Sequence, residues 1–216
     1  MDNKFHPTEK KPFEIFFNDF DDNGTGDIVL AKTDDQGENY IMRGKDCSTQ
    51  QMPFISEKFK KYEDFALASI TEVLSEEKLE TAINYSVSDF SSMYFENIGG
   101  TFQARPLPLQ AQFAPINDIL IRDFNNDGQK DIIVAGNLFG TEIETASYDA
   151  GTGVFLKGNG KGDFKALSVQ ESGLYLGKDL KDLGLIQIRG NTYVIGANNS
   201  DVLDLIQVNP NYQLIQ

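Results

Sequence analysis

Short apolar runs rich in β-branched and aromatic residues alternate with turns rich in Gly, Asn and Asp along most of this chain. Runs of this length bounded by turn residues predict β-strands. The predicted strands cover residues 13–17, 28–31, 39–42, 85–87, 93–95, 119–121, 132–135, 154–156, 185–188, 193–195 and 203–208, and a further short strand follows the turn at 97–102 and ends near Pro106 and Pro108. The pattern therefore predicts an all-β chain with one interruption.

The interruption is the segment 44–83, where apolar residues recur at spacings of three and four. Phe65, Ile70 and Val73 belong to this series, and the spacing is the period of an amphipathic helix. Ser75 is placed to cap a last helix. We predict a helical insertion whose apolar stripe packs on the sheet that it interrupts; a groove for a partner is the alternative.

Without the insertion, the chain divides into units of roughly 50 to 60 residues with about four predicted strands each, which is typical of β-propeller blades. The predicted fold class is all-β: a partial β-propeller of four-stranded blades with a small α-helical insertion. The predicted boundaries are a flexible lead-in at 1–12, a first blade at 13–109, a second blade at 110–170 and a degenerate third blade at 171–216. Because a propeller closes with about 4 to 8 blades, we expect completion by further blades of a longer chain or by another copy.

Two nine-residue turns carry oxygen-bearing side chains at the first, third, fifth and ninth positions, and a glycine at the sixth. These side chains are Asp19, Asp21, Asn23 and Asp27 in the first turn, and Asp123, Asn125, Asp127 and Asp131 in the second. Thr25 and Gln129, at the seventh position, would each add a main-chain carbonyl. Calcium takes about 6 to 8 oxygen ligands of these kinds, whereas magnesium demands a tight octahedron. The sequence therefore predicts two calcium sites.

An EF-hand is a competing interpretation of this spacing. It requires an acidic residue at the twelfth position and a helix on each side of the loop. The twelfth positions hold Leu30 and Val134, which lie in apolar runs. The EF-hand is excluded, and the remaining alternative is a pair of Asx-rich hairpin turns without an ion.

Composition narrows the functional classes further. Lys and Arg total 19 against 33 Asp and Glu, for a formal net charge of -14, which opposes nucleic-acid binding because that requires a basic surface. The single cysteine, Cys47, cannot form an intrachain disulfide, and the single histidine, His6, excludes a His-rich zinc site. No apolar run predicts a membrane span, and residues 1–12 do not have the pattern of a signal peptide. The sequence therefore predicts either a cytosolic protein or a piece of a longer secreted chain.

A second candidate site lies in the long loop that follows the second acidic turn. Glu142 and Glu144 are two residues apart, so they share a face in an extended segment. Asn137, Tyr148 and Asp149 lie in the same loop. The loop is interpreted as a ligand site, as a carboxylate pair for glycoside hydrolysis, or as a structural contact between blades.

No general acid, nucleophile or cofactor motif is placed by the sequence. We therefore predict a non-enzymatic protein without catalytic residues. A polysaccharide-acting enzyme or glycan-binding protein that uses the Glu142/Glu144 loop is the alternative function.

The two acidic turns and the strands after them, at 19–30 and 123–134, resemble FG-GAP/VCBS repeats, the calcium-binding blades of integrin-α-type propellers. The stretch 136–145, the pair Tyr148-Asp149 and the stretch 50–54 are similar to the C-terminal part of VCBS-repeat proteins of the ASPIC/UnbV, cartilage-acidic-protein type.

This resemblance implies a calcium-stabilised propeller on secreted or cell-surface proteins, used for adhesion or for binding a protein or glycan ligand. It implies the same eight side-chain ligands in the two turns. The third unit departs from the repeat because its turn at 189–192 has no acidic residue, and no ion is expected there.

Overall fold

The computed structural model describes residues 5–141 and 145–209. The chain divides into two compact units, an N-terminal unit at Asn3–Phe90 and a C-terminal unit at Ser91–Gln216. This division falls inside the first predicted blade, 13–109, so the blade boundaries remain a prediction.

The N-terminal unit contains one four-stranded antiparallel sheet in the order β3-β2-β1-β4. Its strands are β1 (Phe13–Asn18), β2 (Asp27–Thr33), β3 (Asn39–Ile41) and β4 (Ile83–Val87). The first three strands form a meander. The helices then carry the chain back to the other edge, where β4 pairs with β1. The sequence did not predict this order, because nothing local specifies which edge a strand joins after a long insertion.

The predicted helical insertion is confirmed as five short helices between β3 and β4. They are α1 (Lys45–Gln51), α2 (Phe54–Lys58), α3 (Tyr62–Leu67), α4 (Ile70–Leu74) and α5 (Glu76–Glu80). The apolar series is divided between α3 and α4, because Ala68 is extended and Ser69 begins α4 with a capping box to Glu72. Ser75 precedes α5 as predicted, but its side chain makes no capping hydrogen bond.

The apolar stripe of the insertion packs on the sheet, as predicted. Phe65, Ile70 and Val73 are buried in one cluster with Phe16 and Val29 of the sheet. Phe16 and Val29 are register partners on the same face of β1 and β2. One face of the sheet is therefore covered by helices of its own unit.

The C-terminal unit is built almost entirely from antiparallel strands. They are β5 (Met93–Ile98), β6 (Thr101–Pro106), β7 (Asp118–Arg122), β8 (Asp131–Ala135), β9 (Val154–Gly158), β10 (Phe164–Leu167), β11 (Leu180–Ile188), β12 (Asn191–Asn198) and β13 (Asp204–Gln207). A 3₁₀ turn lies at Leu109–Gln112 and a short helix, α6, at Val169–Ser172. The sheets are the hairpin β5-β6, the meander β10-β9-β8-β7 and the three-stranded β11-β12-β13.

Strand β8 is buried on both faces, and it explains how this unit is held together. Ile133 and Ala135 lie in a cluster with residues of β11 and β12, such as Leu180 and Val194. Ile132 and Val134, on the opposite face, lie in a second cluster with Leu107 and Ala111. The meander is thus the middle layer of the unit. The prediction of a mostly β protein is confirmed, while the described sheets do not close into a propeller.

Candidate functional site

The first acidic turn connects β1 to β2 and curls around its own side chains. The Asp19 carboxylate accepts hydrogen bonds from the main-chain N–H groups of Asn23, at 3.0 Å, and Gly24, at 2.8 Å. The side-chain oxygen of Asn23 accepts from the N–H of Thr25 at 2.7 Å. These local side-chain to main-chain bonds are the Asx-turn interactions that Asp and Asn favour.

The second acidic turn connects β7 to β8 and repeats this pattern position by position. Asp123 accepts from the N–H groups of Asp127, at 3.2 Å, and Gly128, at 2.9 Å. Asp127 accepts from the N–H of Gln129 at 3.0 Å. The sequence repeat is therefore also a repeat of local structure.

The backbone dihedrals explain the glycine at the sixth position. Gly24 has φ 83° and Gly128 has φ 84°, values that an L-residue with a side chain rarely adopts. Asp22 and Asn126, at the fourth position, also have positive φ, 59° and 57°, and Asp and Asn tolerate this region better than most residues. The sequence predicted the role of the glycines but not the second positive φ.

The ninth residue of each turn is a buried aspartate. Asp27 is 2% exposed and Asp131 is 0% exposed, and each accepts the main-chain N–H of the second turn residue, at 3.0 Å and 3.2 Å respectively. The other oxygen of Asp131 accepts from the N–H of Gly158 on β9 at 3.0 Å. Burial raises the pKa of Asp131, against the effect of these two hydrogen bonds.

Gln51 of α1 completes the surroundings of Asp27. Its Nε2 donates to Asp27 Oδ1 at 3.2 Å and to the carbonyl of Ile28 at 3.3 Å. No local pattern linked Gln51 with the turn, since 24 residues separate Gln51 from Asp27. Its only signal was the resemblance carried by the stretch 50–54.

Lys78 of α5 also binds the first turn, from its outer side. Its ammonium donates to the carbonyl of Asp19 at 2.8 Å and pairs with the Asp22 carboxylate. The hydrogen bond to Asp22 raises the pKa of Lys78. Neither contact uses a side-chain oxygen at the predicted ligand positions.

The carboxylates of the first turn converge. Asp19, Asp21 and Asp27 each offer an oxygen, and these oxygens lie within 4.8 Å of one another. Within residues 5–141 and 145–209, no other trio of His, Cys, Asp or Glu side chains is grouped this closely. The donor set of the first turn, made of hard oxygens alone, fits a divalent cation such as calcium.

The three carboxylates of the second turn are not grouped in that way. Asp127 instead lies beside Lys157 of β9, whose Nζ is 3.2 Å from Asp127 Oδ2. Asn125 Nδ2 donates to the same oxygen at 3.1 Å. The carboxylates of the second turn therefore do not converge as those of the first turn do.

The long loop after β8 is fastened by Asn137, which is 0% exposed. Its Nδ2 donates to the carbonyls of Gly151 and Lys178, both at 2.9 Å, and its Oδ1 accepts from the N–H of Gly151 at 2.9 Å. Both amide hydrogens are thus used inside the protein. This geometry favours a structural role for Asn137 over the ligand-binding role that the sequence suggested.

The other predicted ligand residues of this loop are less constrained. Tyr148 is half-buried and exchanges two main-chain hydrogen bonds with Leu138, while Asp149 is exposed. Glu142 and Glu144 lie outside the described residues, so the carboxylate pair remains a prediction.

Lys181 and Asp179 extend the network around Asn137, and the sequence did not single out either one. Lys181 Nζ donates to the carbonyl of Asn137 at 3.0 Å and to Asp179 Oδ1 at 2.6 Å. Asn199 Nδ2 donates to Asp179 Oδ2 at 3.1 Å. No sequence signal linked Lys181 with Asn137, because 44 residues separate them.

This network predicts a pH dependence of stability. The hydrogen bond from Lys181 lowers the pKa of Asp179, so the carboxylate stabilises the fold above its ordinary pKa, and the contribution is lost as pH falls through the folded-state pKa. In urea unfolding at pH 7, wild type should have a larger free energy of unfolding than Asp179→Asn. This difference should shrink as the pH is lowered from 7 to 3. In a Lys181→Met background this pH dependence should be smaller. An advantage that stays constant across the range would contradict the assignment.

No protein-family model, curated protein or solved structure matches this chain. In the described parts of the chain, no helix has both the length and the apolar character needed to cross a membrane.

Proposed function

We propose that this chain is a calcium-binding segment of a β-propeller of the FG-GAP/VCBS type that serves as a non-enzymatic binding or adhesion module. Calcium stiffens the first acidic turn. The observation that supports this most directly is the convergence of the carboxylates of Asp19, Asp21 and Asp27 within 4.8 Å. Such a group repels itself at neutral pH, and a bound cation relieves that repulsion.

Charge and donor type favour calcium at the first turn. Residues 19–27 include four carboxylates and no basic residue. Asp19, Asp21, Asn23 and Asp27 would hold the ion through side-chain oxygens, with the carbonyl of Thr25. Calcium accepts such a mixed set of carboxylate, amide and carbonyl oxygens, with water in any remaining position.

The packing of the C-terminal unit supports the propeller part of the proposal. A propeller blade is a short antiparallel meander with a neighbouring sheet on each face. The meander β10-β9-β8-β7 has this strand order, and its strand β8 is buried on both faces.

The first sheet presents an exposed apolar face that supports completion by further blades. Phe17 pairs with Ile28 on one side and with Ile83 on the other, and Tyr85 follows Ile83 on the same face of β4. These four side chains are 44%, 52%, 53% and 69% exposed. A contiguous apolar face of this kind marks an interaction surface, and another sheet of the same repeat is the partner that we propose. An extracellular or cell-surface location belongs to the same proposal and follows from the resemblance.

Calcium should raise the melting temperature of the protein relative to a chelator. Binding to the folded state alone adds stability of about 2.7 kcal/mol when calcium is about 100-fold above Kd, and this corresponds to a shift of roughly 5 to 10 °C for a chain of this length. Circular dichroism melts in 1 mM calcium and in EDTA measure the shift.

Asp19→Asn should abolish most of that shift, because it removes one charge from the carboxylate trio. Asp64→Asn, a change at an exposed acid of α3, is the matched control and should retain the full shift. Identical wild-type melts in calcium and in EDTA would overturn the proposed function.

A further inference from the structure

The two acidic turns share one backbone design but differ in their charges. Residues 19–27 contain four carboxylates and no basic residue, whereas residues 123–131 contain three carboxylates and Lys130. The second turn therefore needs less cationic charge from outside than the first.

Lys157 supplies that charge from β9. Its Nζ lies 3.2 Å from Asp127 Oδ2, with the two side chains 37% and 32% exposed. The same oxygen accepts from Asn125 Nδ2 at 3.1 Å, and Asp127 Oδ1 accepts from the N–H of Gln129 at 3.0 Å. Both oxygens at the fifth position, which is a predicted calcium ligand, are thus engaged by donors of the protein.

The next residue on β9 engages the ninth position of the turn. The N–H of Gly158 donates to Asp131 Oδ1 at 3.0 Å, and the N–H of Phe124 donates to Asp131 Oδ2 at 3.2 Å. Neighbouring residues of one strand therefore bind two of the three carboxylates of the second turn. A fixed set of protein donors takes the place that a metal ion would have in the first turn under the proposed function.

Among the described residues, no cationic side chain donates to a side-chain oxygen at the ligand positions of the first turn. The ninth position, Asp27, accepts only neutral donors, the amide of Gln51 at 3.2 Å and the N–H of Phe20 at 3.0 Å. The fifth position is the neutral Asn23, and the ammonium of Lys78 contacts the Asp22 carboxylate and the Asp19 carbonyl instead of the converging carboxylates. In the described part of the chain, the Asp21 carboxylate accepts one hydrogen bond, from the N–H of Asn23 to Oδ1 at 3.2 Å.

We propose that the second turn is closed by Lys157, the protein's own cation, so that the chain takes up one calcium ion at the first turn and none at the second. The stoichiometry rests on the proposed function, whereas the role of Lys157 does not. The sequence repeat led to the expectation of two equivalent calcium sites. In this proposal calcium stabilises the first turn and Lys157 stabilises the second.

Calcium titration by isothermal calorimetry tests the stoichiometry. Wild type should bind one equivalent, Asp19→Asn should lose at least 10-fold in affinity, and Asp123→Asn should bind one equivalent as wild type does. Lys157→Met should add a second, weaker equivalent, because it exposes the Asp127 carboxylate. Two equivalents in wild type, one of which disappears in Asp123→Asn, would overturn the inference.

Thermal melts in EDTA test the role of Lys157 even if wild type binds no calcium at all. Lys157→Met should lower the melting temperature by about 1 to 4 °C, the size expected for a partly exposed ion pair in a chain of this length. Lys165→Met is the control: Lys165 is the register partner of Lys157 on β10 and its side chain is 72% exposed, so this change should have little effect.

A double-mutant cycle isolates the pair. In EDTA, Lys157→Met should cost less when Asp127 is already Asn than when it is Asp. Equal costs in the two backgrounds would show that Lys157 does not hold the second turn, whatever the calorimetry shows. A total absence of calcium binding together with positive coupling would overturn the proposed function and the stoichiometry that rests on it, and would support the role of Lys157.

Discussion

Replacing Asn137 with Ala should lower the free energy of unfolding of the C-terminal unit by about 3 kcal/mol. The change removes three hydrogen bonds and leaves the N–H and the carbonyl of Gly151, and the carbonyl of Lys178, without their partner. Buried polar groups left unsatisfied cost about 1 to 3 kcal/mol each, and the cavity left by the side chain prevents full relaxation. Urea unfolding followed by circular dichroism gives the value.

Asn97→Ala is the matched control for this change. Asn97 is an exposed residue near the end of β5, and its side chain accepts from the N–H of Gly100, in the turn to β6, at 2.9 Å. Water can replace that bond, so the expected loss is about 0.5 kcal/mol. Similar losses for the two variants would mean that the buried network around Asn137 does not hold the loop.

Replacing Gly158 with Ala should destabilise the C-terminal unit by about 2 to 3 kcal/mol. A Cβ at this position would lie 2.0 Å from the carbonyl oxygen of Lys130. That oxygen belongs to the main chain just before β8, so β8 and β9 must separate or the acidic turn must shift. The same urea experiment measures the loss.

Gly140→Ala provides the comparison, since a Cβ there meets no atom within 4 Å. It should change stability by less than about 0.5 kcal/mol. If Gly158→Ala fails to fold, its soluble yield compared with that of Gly140→Ala replaces the unfolding measurement. Equal stability of the two variants would show that the contact between β9 and the second turn is loose.

Local sequence patterns were sufficient to predict most elements of the fold. The apolar runs around the acidic turns became β1, β2, β7 and β8, because an apolar run bounded by turn residues is a signal carried by a few neighbouring residues. The acidic turns adopted the curl that the spacing of Asp and Gly requires. The helical insertion was predicted by its period, although the extended Ala68 ended one helix and Ser69 began another.

The features that the sequence did not predict depend on contacts between residues that are far apart along the chain. Whether β4 joins the edge of β1 depends on how five helices fold back across the sheet. Gln51 reaches Asp27 and Lys157 reaches Asp127 through tertiary packing, so the repeat could not distinguish the two turns. The sequence places Asn137 in a long loop, where polar residues often bind ligands. In the structure, its side-chain amide is buried and hydrogen-bonds to the main chain of Gly151 and Lys178.

The helical insertion is attached to the first acidic turn near both of its ends. Gln51, at the end of α1, donates to Asp27, and Lys78, in α5, donates to the carbonyl of Asp19. The turn therefore acts as a non-covalent crosslink between Gln51 and Lys78, and the segment between these two residues forms a closed loop. Ordering residues 19–27 therefore lowers the conformational entropy of the segment between Gln51 and Lys78. We expect a change in this turn to alter the stability of the helical insertion as well.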